Sequence, residues 1–155
     1  MKLSTKGRYG LRAILELALH EEGEYLSIND IAQKQGISFP YVEQLMVKLK
    51  KAGLVESIRG PNGGYRLSRP SSKIKAGEVV RIVEGPIEIV PCVGLKKNAQ
   101  ECSRAGECAT QLLWTKVSRQ IAQLLDGISL EELAKWEKEL KENNLCQKNT
   151  VEVTT

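Results

Sequence analysis

Cys92, Cys102 and Cys108 fall within 17 residues in a C-x9-C-x5-C pattern, and a fourth cysteine, Cys146, lies near the end of the 155-residue chain. Thiolates are soft ligands suited to zinc or to iron–sulfur clusters. The spacing differs from the C-x2-C pairs of zinc ribbons and from the common ferredoxin patterns. Gly94 and Gly106 give the intervening stretch the freedom to wrap around a bound object. Three thiols leave a four-coordinate site one ligand short, and three unligated thiols in a loop are the competing reading. Thiol redox enzymology would call for a C-x-x-C pair or a nucleophile beside a base. This chain has no such pair and a single histidine, His20, so it is not read as an enzyme.

A second group of residues points to nucleic acid. Residues 1–85 carry 14 Lys/Arg against 9 Asp/Glu, whereas residues 86–155 carry 9 against 10, so the excess behind the net charge of +4 sits in the N-terminal half. Such a localised excess can be the footprint of a phosphate backbone. No stretch approaches the roughly 20 apolar residues of a membrane span. Glu16 interrupts the apolar run after the basic N-terminus and no small-residue cleavage site follows, so residues 5–20 read as an amphipathic helix of a cytoplasmic protein.

The elements that must hold these residues follow from periodicity and caps. Tyr9, Ala13, Ile14 and Leu17 share a face of the first helix, to about His20. Ser27 caps a second helix, with Asp30 three residues on, and Gly36 closes it. A third helix follows Ser38, tolerates Pro40 in its first turn, buries Val42, Leu45, Met46 and Leu49, and stops near Gly53. Only Gly36, Ile37 and Ser38 join these two helices, the tight connection of a helix-turn-helix. Two strand-like runs, 54–58 and 65–68, flank Arg59-Gly60-Pro61-Asn62-Gly63-Gly64, which predicts a β-hairpin wing. After a polar linker come a short helix over 76–84, an irregular stretch over 87–107, a long helix over 109–126, and a last helix capped by Ser129 and Glu132 that runs to about Glu142. Leu130, Leu133, Trp136 and Leu140 mark one side of that helix.

The expected fold is mainly α with a small β-hairpin: a winged helix-turn-helix plus a long C-terminal helix. The domains are 1–85 for DNA binding, 86–108 for the cysteine-bearing loop, 109–142 for the long helices and 143–155 for a flexible tail. In a major groove the first turns of the third helix would offer Ser38, Phe39, Tyr41, Glu43 and Gln44 to base edges. Gln suits adenine and Glu suits cytosine. Lys48, Lys50 and Lys51 would meet phosphates. At the wing, Arg59 and Arg66 flank the small tip Gly60, Pro61, Asn62, Gly63 and Gly64, and an arginine there can enter a minor groove.

Specific motifs reinforce this. M-K-L-S-T-K-G-R-Y-G at the start, D-I-A-Q-K-Q-G-I-S, Y-V-E-Q-L, R-G-P-N-G-G-Y in the wing and L-L-W in the long helix stand in this chain. Over roughly residues 1–140 it resembles the IscR/NsrR/CymR family of bacterial winged-helix transcription regulators, and the iron–sulfur-binding IscR branch most closely. The resemblance implies a homodimer whose two recognition helices read a palindrome in double-stranded DNA, joined along Leu113, Val117, Ile121 and Leu124 of the long helix. It further implies an iron–sulfur cluster, 2Fe–2S rather than 4Fe–4S, on Cys92, Cys102 and Cys108, and control of iron–sulfur biogenesis genes. IscR proteins carry a histidine three residues after the last cysteine. Gln111 stands there, and where NsrR members use an acidic residue this chain has Arg8. Gln111 is the first candidate for the fourth ligand, ahead of His20, Cys146, Glu107 or an exogenous group. The alternative is a cluster-free regulator of cysteine and sulfur metabolism, as in CymR-type members.

Overall fold

The computed structural model describes residues 4–20, 23–93, 104 and 107–151, the last seven as backbone alone. The elements run α1 (Thr5–Leu19), α2 (Ile28–Gln35), α3 (Phe39–Lys51), β1 (Val55–Ile58), β2 (Gly64–Leu67), a 3-10 turn at Ser71–Lys73, α4 (Ala76–Glu84), a second 3-10 turn at Pro91–Val93, α5 (Ala109–Gly127) and α6 (Leu130–Val151). The expected winged helix-turn-helix is therefore present.

Local chemistry explains the boundaries. At α2 the Asp30 N–H donates to Ser27 Oγ, and the Ser27 hydroxyl donates to the Asp30 carboxylate. Gly36 ends α2 in the left-handed region at φ 61°, which a side chain would resist, and lets the chain turn within two residues into α3. At α6, Glu132 Oε2 accepts from both the N–H and the hydroxyl of Ser129, while the Glu132 N–H donates to Ser129 Oγ, completing a reciprocal capping box. The hairpin and the last helix differ from the sequence reading. β1 begins one residue later than expected, because Leu54 still bonds back to Leu49 at the end of α3, and ends at Ile58 as expected, while β2 lies one residue earlier, because Gly64 pairs with Ile58. The last helix continues past Glu142 to Val151, through residues with no glycine or proline to stop it.

One core serves α1 to α4 and the start of α6. Ile14, Ile31, Met46, Leu49, Leu54, Ile74, Leu130, Val42 and Val79 are its largest fully buried side chains, each stabilising by about 1.5–3 kcal/mol. Gly10 lets α1 approach α4 closely, since a Cβ there would lie 3.0 Å from Val83 Cγ1. Polar ties fix the helix-turn-helix on α1. Arg12 donates to the side chain and the carbonyl of Gln35, and Gln35 donates to the buried carboxylate of Glu16. The α5 helix is different. Ser118 is its only buried residue, while Leu112, Leu113, Trp114 and Leu124 are exposed. On α6, Leu130 and Leu133 reach the core, but Trp136 and Leu140 are left exposed.

The wing is braced on the strand-like segment before α2. Leu26 and Tyr65 exchange backbone hydrogen bonds of 2.9 and 2.8 Å. A Cβ on Gly64 would sit 2.4 Å from the Leu26 carbonyl oxygen, which is backbone and cannot swing away. Gly64→Ala is therefore expected to destabilise the protein by about 1–3 kcal/mol. A lowered midpoint in denaturant unfolding is the check, and an unchanged midpoint would show that the brace is not made.

Candidate nucleic-acid interface and metal centre

The α3 helix is amphipathic along its whole length. Val42, Leu45, Met46 and Leu49 are buried, and Tyr41 packs against the edge of the same core. Phe39, Glu43 and Gln44 are exposed, and Tyr41 is half-buried. The carbonyl of Ser38 accepts the first helical bonds from Tyr41 and Val42, while its side chain makes no capping bond and stays exposed. The Tyr41 ring meets Tyr9 of α1 edge-on, with centroids 5.8 Å apart. Arg8 and Arg12 lie over the Tyr9 ring at 5.5 and 5.4 Å. This aromatic and cationic stack fixes the first turn of α3, and no spacing in the sequence announces it.

The lysines at the far end of α3 are partly engaged within the fold. Lys48 Nζ donates to the Val83 carbonyl at 3.2 Å, tying α3 to the end of α4, and Lys50 Nζ donates to Ser57 Oγ of the wing. Lys51 is exposed.

At the wing, the two arginines separate into different roles. Arg66 sits opposite Glu56 in the hairpin register and pairs with it. It also stacks on Tyr25 at 4.8 Å and donates to the Gly23 carbonyl. Arg66 therefore braces the base of the wing, a role that the cross-strand register could have signalled. Arg59 is exposed, beside exposed Gly60, Pro61 and Asn62. The glycines of the tip have conformational reasons of their own. Gly60 adopts φ 121°, and a Cβ on Gly63 would meet the Ile58 carbonyl oxygen at 2.5 Å.

The cysteine region gathers at the N-terminal end of α5. Cys108 is the N-cap of that helix. Its sulfur lies 3.0 Å from the Thr110 hydroxyl, a polar contact that holds the thiol's pKa below its ordinary value. Gln111 Nε2 donates to the Cys92 carbonyl at 2.8 Å, bringing the 3-10 turn at Pro91–Val93 against the start of α5. The Cys92 backbone is thus tied to the end of the helix that Cys108 begins. Cys102 lies outside the described residues, as does the side chain of Cys146. Among the described residues, no three His, Cys, Asp or Glu side chains form a metal-binding group. His20 Nε2 lies 3.1 Å from Glu24 in a cleft with Arg66 and Arg69 that includes neither described cysteine, and Glu107 is exposed. The two half-buried thiols, Cys92 and Cys108, are of the soft donor type that suits a thiophilic metal group, with the Gln111 side chain beside them as a harder oxygen donor. No helix among the described residues is long and apolar enough to cross a membrane.

A helix-turn-helix with an exposed polar reading face and a braced wing defines a DNA-binding transcription regulator rather than an enzyme. The model of the Rrf2 family, described as iron-dependent transcriptional regulators, matches residues 3–136, and the chain belongs to that family. It is 44% identical over 133 residues to the transcriptional regulator IscR of Aliivibrio salmonicida, covering 86% of this chain and 77% of that protein. Among solved structures it is similar to CymR (YrzC), the global cysteine regulator of B. subtilis, with a TM-score of 0.74 and 40% identity over 88% of this chain and 98% of that one. It is also similar to T. potens IscR, with a TM-score of 0.73 and 38% identity over 90% of each chain.

Proposed function

We propose that the protein is a homodimeric, cytoplasmic regulator of iron–sulfur cluster biogenesis genes, whose binding to a palindromic operator responds to a 2Fe–2S cluster held by Cys92, Cys102 and Cys108, with the Gln111 amide oxygen as fourth donor. One observation supports this most. The Gln111–Cys92 hydrogen bond holds the Cys92 backbone against the end of α5 that begins at Cys108, and α5 is the helix whose apolar side is unburied in a single subunit. A site on the dimer helix can be linked to the DNA-reading elements through the dimer geometry. When bound, the cluster supplies a redox-active group that oxygen can destroy. The chain supplies thiolates, an orienting amide and the link to α4. Arg81 grips Asp126 of α5 through two contacts of 2.6 Å, and Lys48 ties α4 to the recognition helix.

On the DNA side, Ser38, Phe39, Tyr41, Glu43 and Gln44 read bases, Lys48 lies toward phosphate, and Arg59 with Gly60, Pro61, Asn62, Gly63 and Gly64 forms the minor-groove contact. Arg59→Ala is expected to weaken binding to all sequences alike and to lower the slope of log affinity against log salt by about 1. Glu43→Ala is expected to change base preference more than affinity. Titrations of operator and scrambled duplex at several salt concentrations separate the two. Selective loss of the operator alone in Arg59→Ala would contradict the backbone-and-shape role of the wing.

The likeness to the B. subtilis cysteine regulator favours a second reading, a cluster-free regulator of cysteine and sulfur metabolism. Purification without oxygen, followed by visible absorption and iron and sulfide analysis, decides between them. Cluster sensing requires a brown protein with iron and acid-labile sulfide in equal amounts. A colourless protein, with zinc or without metal, means the second reading.

A further inference from the structure

We propose that Ser118 and Gln111 form a two-point clamp that holds the Cys92 segment along α5 before any metal binds, so that Cys92 and Cys108 stand as a ready half-site. This rests on the reading that both cysteines are metal ligands, and it gives Ser118 a role as a positioning residue of the site.

Ser118 is 5% exposed and is the only buried residue of the 19-residue α5 helix. A hydroxyl in that position is costly unless it is hydrogen-bonded, and Ser118 Oγ accepts from the Ile89 N–H at 3.3 Å. Seven residues earlier, Gln111 donates to the Cys92 carbonyl at 2.8 Å. Positions seven apart lie two turns along one helix face. The contacts run in opposite order on the two strands of chain, 118 with 89 and 111 with 92, so the segment lies antiparallel to α5. The helix rises about 10 Å between those positions; the 3-10 turn at Pro91–Val93 shortens the segment, and the long Gln111 side chain spans the remainder to reach the Cys92 carbonyl. Ile87 and Ile89 line a groove of about 740 Å³ together with Ile121 and Leu125 of α5, so its apolar side chains face the same helix. The second thiol, Cys108, caps that helix one turn before Gln111. Ordering the Cys92 backbone is then part of folding, and the metal does not have to supply that ordering free energy.

The test uses the full-length, metal-free protein and three variants: Ser118→Ala, which removes the acceptor, Ser118→Thr, which restores a hydroxyl, and Gln111→Met, which keeps the length but cannot donate. Amide hydrogen exchange of the segment 87–93 and the alkylation rate of Cys92, relative to Cys146 in the same molecules, report its opening. Ser118→Ala and Gln111→Met are each expected to raise both by about fivefold, the effect of one net hydrogen bond on a local opening equilibrium, and Ser118→Thr to return both toward wild type. In protein loaded with cluster, Ser118→Ala should speed decay of the visible band by a similar factor. Unchanged exchange and alkylation in either disrupting variant, with helicity intact, overturn the two-point clamp. If wild type takes up no cluster, the metal reading fails, yet the metal-free measurements still decide whether the clamp exists.

Discussion

Replacing Val117 and Ile121 together by glutamate is expected to yield a monomer and to lower operator affinity by about 10²–10⁴-fold, the loss that follows when two linked half-site contacts become independent. Along α5, Leu113 is 53% and Leu124 66% exposed in the single subunit, with Val117 and Ile121 half-buried between them and Leu112 and Trp114 also open. Such a contiguous apolar face marks an interaction surface. In a two-fold dimer the same patch meets itself, so the introduced glutamates would be desolvated against the partner's apolar patch. Leu113→Glu with Leu124→Glu alters only exposed positions and should give the same result without cost to the monomer fold. Sedimentation and circular dichroism check the two parts. Wild-type protein that sediments as a monomer at micromolar concentration would contradict the dimer.

Cys92→Ser, Cys102→Ser and Cys108→Ser are each expected to abolish the visible band of the anaerobic protein, whereas Cys146→Ser leaves it. A site already without a histidine or a fourth thiolate cannot spare a soft ligand, and a serine hydroxyl is a poor replacement. Gln111 provides the sharper comparison. An amide oxygen binds ferric iron more weakly than imidazole does, so Gln111→His should give a cluster that outlasts wild type in air and in chelator. Gln111→Ala should shorten its life. The half-times of band decay for the three proteins are the measurement. No gain with histidine and no loss with alanine would mean that the fourth donor comes from elsewhere.

The parts of the fold that follow from neighbours in sequence were legible. Ser27 with Asp30, Ser129 with Glu132, and the glycines at 36 and 53 mark helix ends through local hydrogen bonds and positive φ, and each does so in the structure. The hairpin was legible to within one residue, because turn composition does not fix where pairing begins. The α6 stop was not, since a polar helix and a polar tail share composition. Contacts between distant elements were beyond reach. Periodicity says that Tyr9 faces something, but not that its partner is Tyr41, and nothing in the sequence pairs Arg66 with Tyr25 or Ser118 with the Ile89 amide. The meeting of Cys92 with Gln111 is of the same kind. The family resemblance made the two candidates for one site, and only the path of residues 86–93 along α5 brings them within a hydrogen bond.

Operator affinity, measured on one anaerobic preparation before and after its cluster is removed, addresses cluster sensing most directly. Coupling between two sites in a protein commonly changes affinity by about 5–150-fold. A shift within that range, reversed when the cluster is rebuilt and missing in Cys108→Ser, is the expected result. Equal affinities with and without the cluster would contradict a cluster-responsive regulator, even if the protein binds both DNA and iron.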